Sequence, residues 1–245
     1  ADITQYDHMI MEWGQIGKLF KALKAVDARS ILLAGGIVRR PDIDLRKLDW
    51  GAVRTLPEIL GVILSGDNTI LSGVIDIFEK RGFSVASMAS LLPELLVHSE
   101  ANTRAKPRKR DLQRLQHGVE VVKALGRFDI GQGAVVVGER AVAVEGIEGT
   151  DAMLERVAHL RTTGRLPTKK GGVLVKCLKP MQDERADLPT IGPDTIRNVA
   201  AAGLTGVGVE AGKTLVVQRE KTLQLAADMG VFIYGHSVNE TDKNG

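Results

Sequence analysis

The chain has 245 residues, 44% of them hydrophobic, enough for one large or two small domains with substantial cores. A net charge of +3 and an aromatic content of 4% give no footprint for nucleic acid, either as a strongly basic surface or as a stacking platform. The single cysteine, Cys177, excludes an intramolecular disulfide, a zinc ribbon and CxxC chemistry, and its apolar surroundings read as a buried thiol. No run reaches transmembrane length, and the front shows no signal-peptide pattern.

Ile16, Leu19, Phe20 and Leu23 recur at i, i+3, i+4 and i+7, which predicts a helix from about Gln15 to Val26. Ile31–Leu33 follows as a short strand and ends in Ala34-Gly35-Gly36-Ile37-Val38-Arg39-Arg40. A glycine pair after a strand permits close approach to a ligand, with Arg39 or Arg40 available for phosphate. Gly35 and Gly36 serve equally well as an ordinary tight turn, because the full GxGxxG pattern is absent. A helix is expected after Pro57, and another from about Asn68 to Arg81, where Leu71, Val74, Ile75 and Phe78 share a face. Such alternation of strand and helix predicts a parallel sheet covered by helices.

Between Val97 and Asp111 the periodicity stops. Arg104 to Arg110 places five cations in seven positions, and this run is the expected linker. It reads first as a solvated connection, and second as an attraction to anionic lipid head groups, about 1 kcal/mol per cation.

Leu112, Leu115, Val119 and Val122 make the next helix face. Asp129-Ile130-Gly131-Gln132-Gly133 then leads into a hairpin of Ala134–Val137 and Ala141–Val144, so this sheet cannot be purely parallel. Val144–Arg156 runs from strand through a Gly-rich acidic turn into a helix, with Thr150 or Asp151 as its N-cap. After a loop of Lys, Thr and Gly, Val173–Val175 forms a buried strand. Lys176–Gly192 follows, carrying Lys179, Gln182, Asp183, Glu184, Arg185, Asp187 and Thr190, before a helix that opens at Pro193. Val207–Val209 and Thr214–Val217 are expected to pair as strands, with a helix over Glu220–Met229 and a last strand at Val231–Tyr234.

A strand, a polar loop and a helix start make a site suited to a diphosphate. Carboxylates can hold Mg²⁺, Lys and Arg can pair phosphate oxygens, and helix N–H groups face an anion. The competing reading is a solvated loop whose charges pair among themselves; for Asp187 it is an exposed cap or an ion pair with Arg185. Other chemistries lack their residues. There is no GxSxG elbow and no GxxxxGK[ST] run, and the five His (His8, His98, His117, His159, His236) have no metal-ligand spacing.

Glu-Gly-Thr-Asp at 148–151, Lys-Pro-Met-Gln-Asp-Glu-Arg-Ala-Asp-Leu-Pro-Thr-Ile-Gly at 179–192 and Asp-Ile-Gly-Gln-Gly at 129–133 together resemble the UDP-2,3-diacylglucosamine pyrophosphatase family of lipid A biosynthesis, the LpxI type. The similarity runs from about Trp13 to Gly235. It implies a Mg²⁺-dependent hydrolase, with Mn²⁺ as a substitute, that splits UDP-2,3-diacylglucosamine into UMP and 2,3-diacylglucosamine 1-phosphate. The implied fold is α/β: a Rossmann-like N-terminal domain over 1–103, the basic linker over 104–110 and a mixed-sheet catalytic domain over 111–245. The family's first strand and Gly-rich turn have no counterpart in this sequence, which bears on the uridine or sugar subsite of the first domain.

On this resemblance Asp187 ligates metal or activates water, with Asp151 or Glu148 as its partner at the metal. Lys179 and Arg185 clamp phosphate, Gln182 and Thr190 orient it, and Gln132, Thr150 and Gly192 complete the contacts. Gly35, Gly36 and Arg39 contribute from the first domain. The resemblance further implies a cytoplasmic protein at the inner-membrane surface and allows a homodimer. A reading of another class is a non-catalytic module that binds nucleotide sugar or lipid; such a module has no need of several carboxylates beside a phosphate.

Overall fold

The computed structural model describes residues 3–12, 14–35, 48–52, 55, 67–180, 182–185 and 187–237. The chain divides into two compact units, Ala1–Ser87 and Met88–Gly245. The division falls ahead of the boundary expected at 103, and Lys109 and Arg110 of the basic run open a helix.

In the first unit, α1 (Ile16–Ala25) precedes β1 (Ser30–Leu32), and α2 (Asp67–Glu79) precedes β2 (Ser84–Ala86). The two strands pair in parallel, Ile31 opposite Val85, as the alternation predicts. Phe20 of α1 meets Phe78 of α2 edge-on, with ring centroids 5.4 Å apart, and stacks on Phe83 at 5.8 Å. Asp49 accepts from the backbone N–H groups of Gly17 (3.0 Å), Lys18 (2.9 Å) and Ala52 (2.7 Å), so the free amides at the start of α1 are already met by a carboxylate. The helix expected after Pro57 lies largely outside the described residues.

The second unit opens with the short helix α3 (Met88–Leu91) and is built on a six-stranded sheet. Its members are β3 (Glu100–Ala101), β4 (Gly133–Val137), β5 (Arg140–Val144), β6 (Val173–Lys176), β8 (Gly206–Glu210) and β10 (Phe232–His236), in the order β3-β10-β8-β6-β4-β5. Strands β10, β8 and β6 run parallel, while β4 is antiparallel to both β6 and β5. The amino end of β4 therefore lies beside the carboxyl end of β6, with Gly133 opposite Lys176.

Helix α4 (Lys109–Gly126) covers one face through Leu115, Val119 and Val122, which pack with Ala134, Val136, Val173 and Val175. Helices α5 (Gly149–Thr162), α6 (Pro193–Ala201) and α7 (Arg219–Met229) contribute to the core on the other face, where Met153, Leu154, Ile196, Val199 and Ala226 pack with Val135, Leu174 and Val207. Successive residues of β4 and β6 thus enter opposite cores, which is why these strands are apolar throughout rather than alternating.

Two expectations change. Val207–Val209 does not pair with Thr214–Val217: both edges of β8 are taken by β6 and β10, so the turn after Glu210 carries the chain outward. There β9 (Leu215–Val216) pairs in parallel with β7 (Thr190–Ile191), anchored by the Val97 amide donating to Thr214 O at 2.9 Å. The polar stretch before the basic run also supplies a strand, because Glu100 and Ala101 close the free edge of β10.

Candidate active site

The candidate site forms beyond the carboxyl ends of the parallel strands, where ligands of open α/β sheets bind. Three backbone bonds gather its loops. The Cys177 amide donates to Gln132 O (3.0 Å), the Glu145 amide donates to Gly133 O (2.8 Å), and Val217 donates to Ile191 O (3.0 Å). The loop 129–133, the acidic turn after β5, the end of β6 and the β7–α6 junction are thereby brought to one edge.

At the centre is Lys176, the last residue of β6, only 5% exposed. Its ammonium donates to Thr150 Oγ1 at 2.8 Å and to the Thr190 carbonyl at 3.4 Å. Thr150, in the first turn of α5, donates in turn to Glu145 Oε1 at 2.7 Å. The single hydroxyl proton goes to the carboxylate, so the lone pairs of Thr150 face the ammonium. Burial lowers the Lys176 pKa, and the charges of Glu145, Asp151 and Asp187 oppose that shift. Three carboxylates therefore act on one buried cation.

Glu145 is 6% exposed and its Oε2 has no hydrogen-bond partner among the described residues; Gln132 Oε1 is also buried without one among them. Two glycines at the entry to β4 make room for this residue, Gly133 beside its carboxylate and Gly131 beside its backbone carbonyl. A Cβ on Gly133 would lie 2.5 Å from Glu145 Oε2, and one on Gly131 would lie 2.1 Å from Glu145 O.

Around this centre the expected residues fall into place unevenly. Gln182 is buried and spans the loop, accepting from the Lys179 amide at 3.2 Å and donating through Nε2 to Asp187 Oδ2. Asp187 thus pairs with Gln182, whereas Arg185 is engaged by Asp183, Nη2 to Oδ2 at 2.8 Å, so the expected pair between Asp187 and Arg185 does not form. The hydrogen bond from Arg185 is the main reason that the Asp183 carboxyl is held below its ordinary range. Lys179 reaches Asp129 and Lys213 reaches Glu184. Both expected phosphate clamps, Lys179 and Arg185, therefore carry carboxylate partners here.

Asp151 accepts from Asn198 at 2.9 Å, while Glu148 turns away to Arg156 at 3.0 Å. The Thr190 hydroxyl donates to Leu188 O, and the site uses its carbonyl instead. Gly192 caps α6, and a Cβ there would lie 2.6 Å from Val217, so close packing requires this glycine. Gly35 has positive φ (106°) and open space around it; Gly36 and Arg39 lie outside the described residues.

Two nearby groups set the local polarity. Burial pushes the Cys177 thiol up to about 12, and burial also raises the pKa of Glu210, which accepts from the Leu178 amide at 3.3 Å. A thiol so placed is neutral and inert at physiological pH.

Comparison with known proteins decides the family. The LpxI N-terminal domain matches residues 1–95 and the LpxI C-terminal domain matches residues 98–234. A UDP-2,3-diacylglucosamine pyrophosphatase LpxI of Caulobacter vibrioides is 40% identical over 223 residues, covering 91% of this chain and 79% of the relative. This chain belongs to the LpxI family. The LpxI C-terminal domain contains every residue of the cluster around Lys176.

Among the described residues, no three His, Cys, Asp or Glu side chains stand together as a self-sufficient metal site. The carboxylates that act on Lys176 from the helix and loop sides, Asp151 and Asp187, are hard oxygen donors. Mg²⁺ is commonly held by one or two carboxylates with substrate phosphates and water completing the shell. That donor set suits a cation that arrives with a diphosphate.

Proposed function

We propose that this chain hydrolyses the diphosphate of UDP-2,3-diacylglucosamine, giving UMP and 2,3-diacylglucosamine 1-phosphate in lipid A biosynthesis. The 40% identity to a pyrophosphatase of that name, across both domains, carries the reading. The buried cation among carboxylates supports it, since diphosphate cleavage asks chiefly for charge stabilisation and a positioned water. Water adds to one phosphorus, the bridging P–O bond breaks, and its oxygen leaves on the other phosphate; the water proton must be taken up by a base.

Asp187 is the group we assign to that proton, held in orientation by Gln182. Lys176 supplies fixed positive charge, and Thr150 with Glu145 holds its ammonium in place. Lys179 and Arg185 reach phosphate by exchanging Asp129 and Asp183 for it. Mg²⁺, or Mn²⁺, would be held by Asp187 and Asp151 and would neutralise charge on the phosphate oxygens. No helix among the described residues is long and apolar enough to cross a membrane. Our reading places the chain at the cytoplasmic face of the inner membrane as a peripheral protein.

The test is incubation with UDP-2,3-diacylglucosamine with Mg²⁺ or with EDTA, followed by separation of products. UMP appearing with lipid monophosphate in the Mg²⁺ arm alone is the expected result. Substrate bound but unchanged in both arms would instead favour a non-catalytic binding module.

A further inference from the structure

Among the described residues of the second unit, Ile147 and Phe128 are the most exposed large apolar side chains, at 100% and 78%. Ile130, at 45%, lies near them in sequence and fold. All three sit at the edge of the sheet that carries the candidate site. Phe128 and Ile130 belong to the loop that enters β4, and Ile147 tips the turn that leaves β5. The two loops abut, because Gly131 packs against the Glu145 carbonyl so closely that a Cβ would lie 2.1 Å from it. They are also held in shape. The Phe128 and Ile130 amides both donate to Leu125 O (3.0 and 3.3 Å), Gly149 donates to Gly146 O (3.2 Å), and Asp129 pairs with Lys179.

The basic run lies elsewhere. Helix α4 begins where Asp111 accepts from Thr205, just before β8, and ends where Gly126 packs on Pro180, just after β6. Its 18 residues span roughly 27 Å at 1.5 Å per residue. Arg104–Arg110 therefore stands at the opposite edge of the sheet from the site.

We propose that the loop tips bearing Phe128, Ile130 and Ile147 insert into the lipid surface from which the substrate is drawn. This rests on the proposed action on a diacylated substrate, which brings the site edge to a membrane. A fully exposed side chain on a turn tip cannot line a groove for one acyl chain; it can enter the acyl boundary of a bilayer. Rigid loops lose little entropy on doing so. Insertion of this kind depends on apolar area and resists salt, whereas docking through the basic run fades as ionic strength rises.

The test uses the full chain and sedimentation with vesicles of phosphatidylethanolamine and phosphatidylglycerol in equal parts, without substrate, at low and high salt. Phe128→Ser with Ile147→Ser should lower partitioning by about 100-fold, roughly tenfold for each apolar side chain withdrawn. Neutralising Arg108, Lys109 and Arg110 should leave it within about twofold at high salt. A second readout does not depend on those variants folding. Because Cys177 is buried, Ile147→Cys can carry an environment-sensitive dye, whose emission should shift to the blue on adding vesicles.

Unchanged partitioning of the serine variant, or a dye that stays wet on a chain that sediments with vesicles, overturns the proposal. Loss of turnover on detergent-dispersed substrate in the serine variant also overturns it, since the tips would then belong to the site. Partitioning is measured without catalysis, so a chain that bound vesicles through these tips but released no UMP would leave this surface standing and remove only the proposed activity.

Discussion

Replacing Lys176 by methionine keeps a side chain of similar length in the buried position and removes its charge. Two effects follow, and they can be separated. The first is on stability. Thr150 Oγ1 and the Thr190 carbonyl lose the ammonium that donates to them, and the buried Glu145 loses a favourable charge. Leaving buried acceptors unsatisfied in this way costs about 1–3 kcal/mol. At about 2–4 °C per kcal/mol for a unit of this size, the melting temperature should fall by roughly 2–12 °C. The second effect is on catalysis. Removing one preorganised charge from the site lowers kcat by about 10²–10³-fold.

Adding Glu145→Gln to the methionine variant removes the stranded carboxylate. The double variant should recover part of the lost stability and none of the lost turnover. Melting curves and UMP release, read side by side, make the assay. Recovery of both together would show that Lys176 is only a structural partner of Glu145, and parent-like turnover in the single variant would remove it from the mechanism. The parent's pH profile adds a check. Burial holds the ammonium below the ordinary lysine value of 10.5, so turnover should decline with rising pH before an exposed lysine would titrate. Across the same window the unfolded chain binds more protons than the folded one, so this group's contribution to stability rises with pH. Activity and stability should therefore move in opposite directions there.

Three further outcomes are expected. Asp187→Ala should leave a folded chain, destabilised by about 1–3 kcal/mol because Gln182 loses its partner, and should turn over at least ~10²-fold more slowly; parent-like turnover would move the chemistry to Asp151. Cys177 should resist thiol reagents at pH 8 in the folded chain and react fully in denaturant, and labelling of the native protein would contradict its burial. Arg161, which donates to Ala202 O (2.6 Å), Lys169 O (3.0 Å), Pro167 O and Gly171 O, is the staple of the loop after α5. Arg161→Met should speed tryptic cleavage at Lys169 and Lys170 several-fold, and an unchanged digestion rate would show that the loop is held by other contacts.

Periodicity made most elements legible. The apolar faces of α1 and α2, that of α4 apart from the exposed Leu112, the hairpin of β4 and β5 and the proline at the start of α6 fall where short-range rules put them. The strand partners of 215–216 were not legible, because pairing depends on which strand edges remain free once the sheet has assembled. The site divides along the same line. The acidic turn and the 179–192 stretch announce a charged loop, but Lys176 at a strand end looks like any solvated lysine. Its buried ammonium is held by Thr150 and Thr190, both tertiary contacts. Glu145 was one acid among several in its turn. The signal that could have singled it out was Gly131 and Gly133, two residues apart and so on one face of the strand entry, the first leaving room for the Glu145 backbone carbonyl and the second for its carboxylate.

The most direct measurement is phosphorus NMR of UDP-2,3-diacylglucosamine turned over by the full chain in heavy-oxygen water. Hydrolysis of the diphosphate predicts two monophosphate signals growing at equal rates while the diphosphate pair disappears. Exactly one of the two should carry the isotope shift of a single heavy oxygen, and that signal identifies the phosphorus that water attacks. A diphosphate spectrum that persists beside saturable binding, or monophosphates that appear without the label, would contradict hydrolysis at this site.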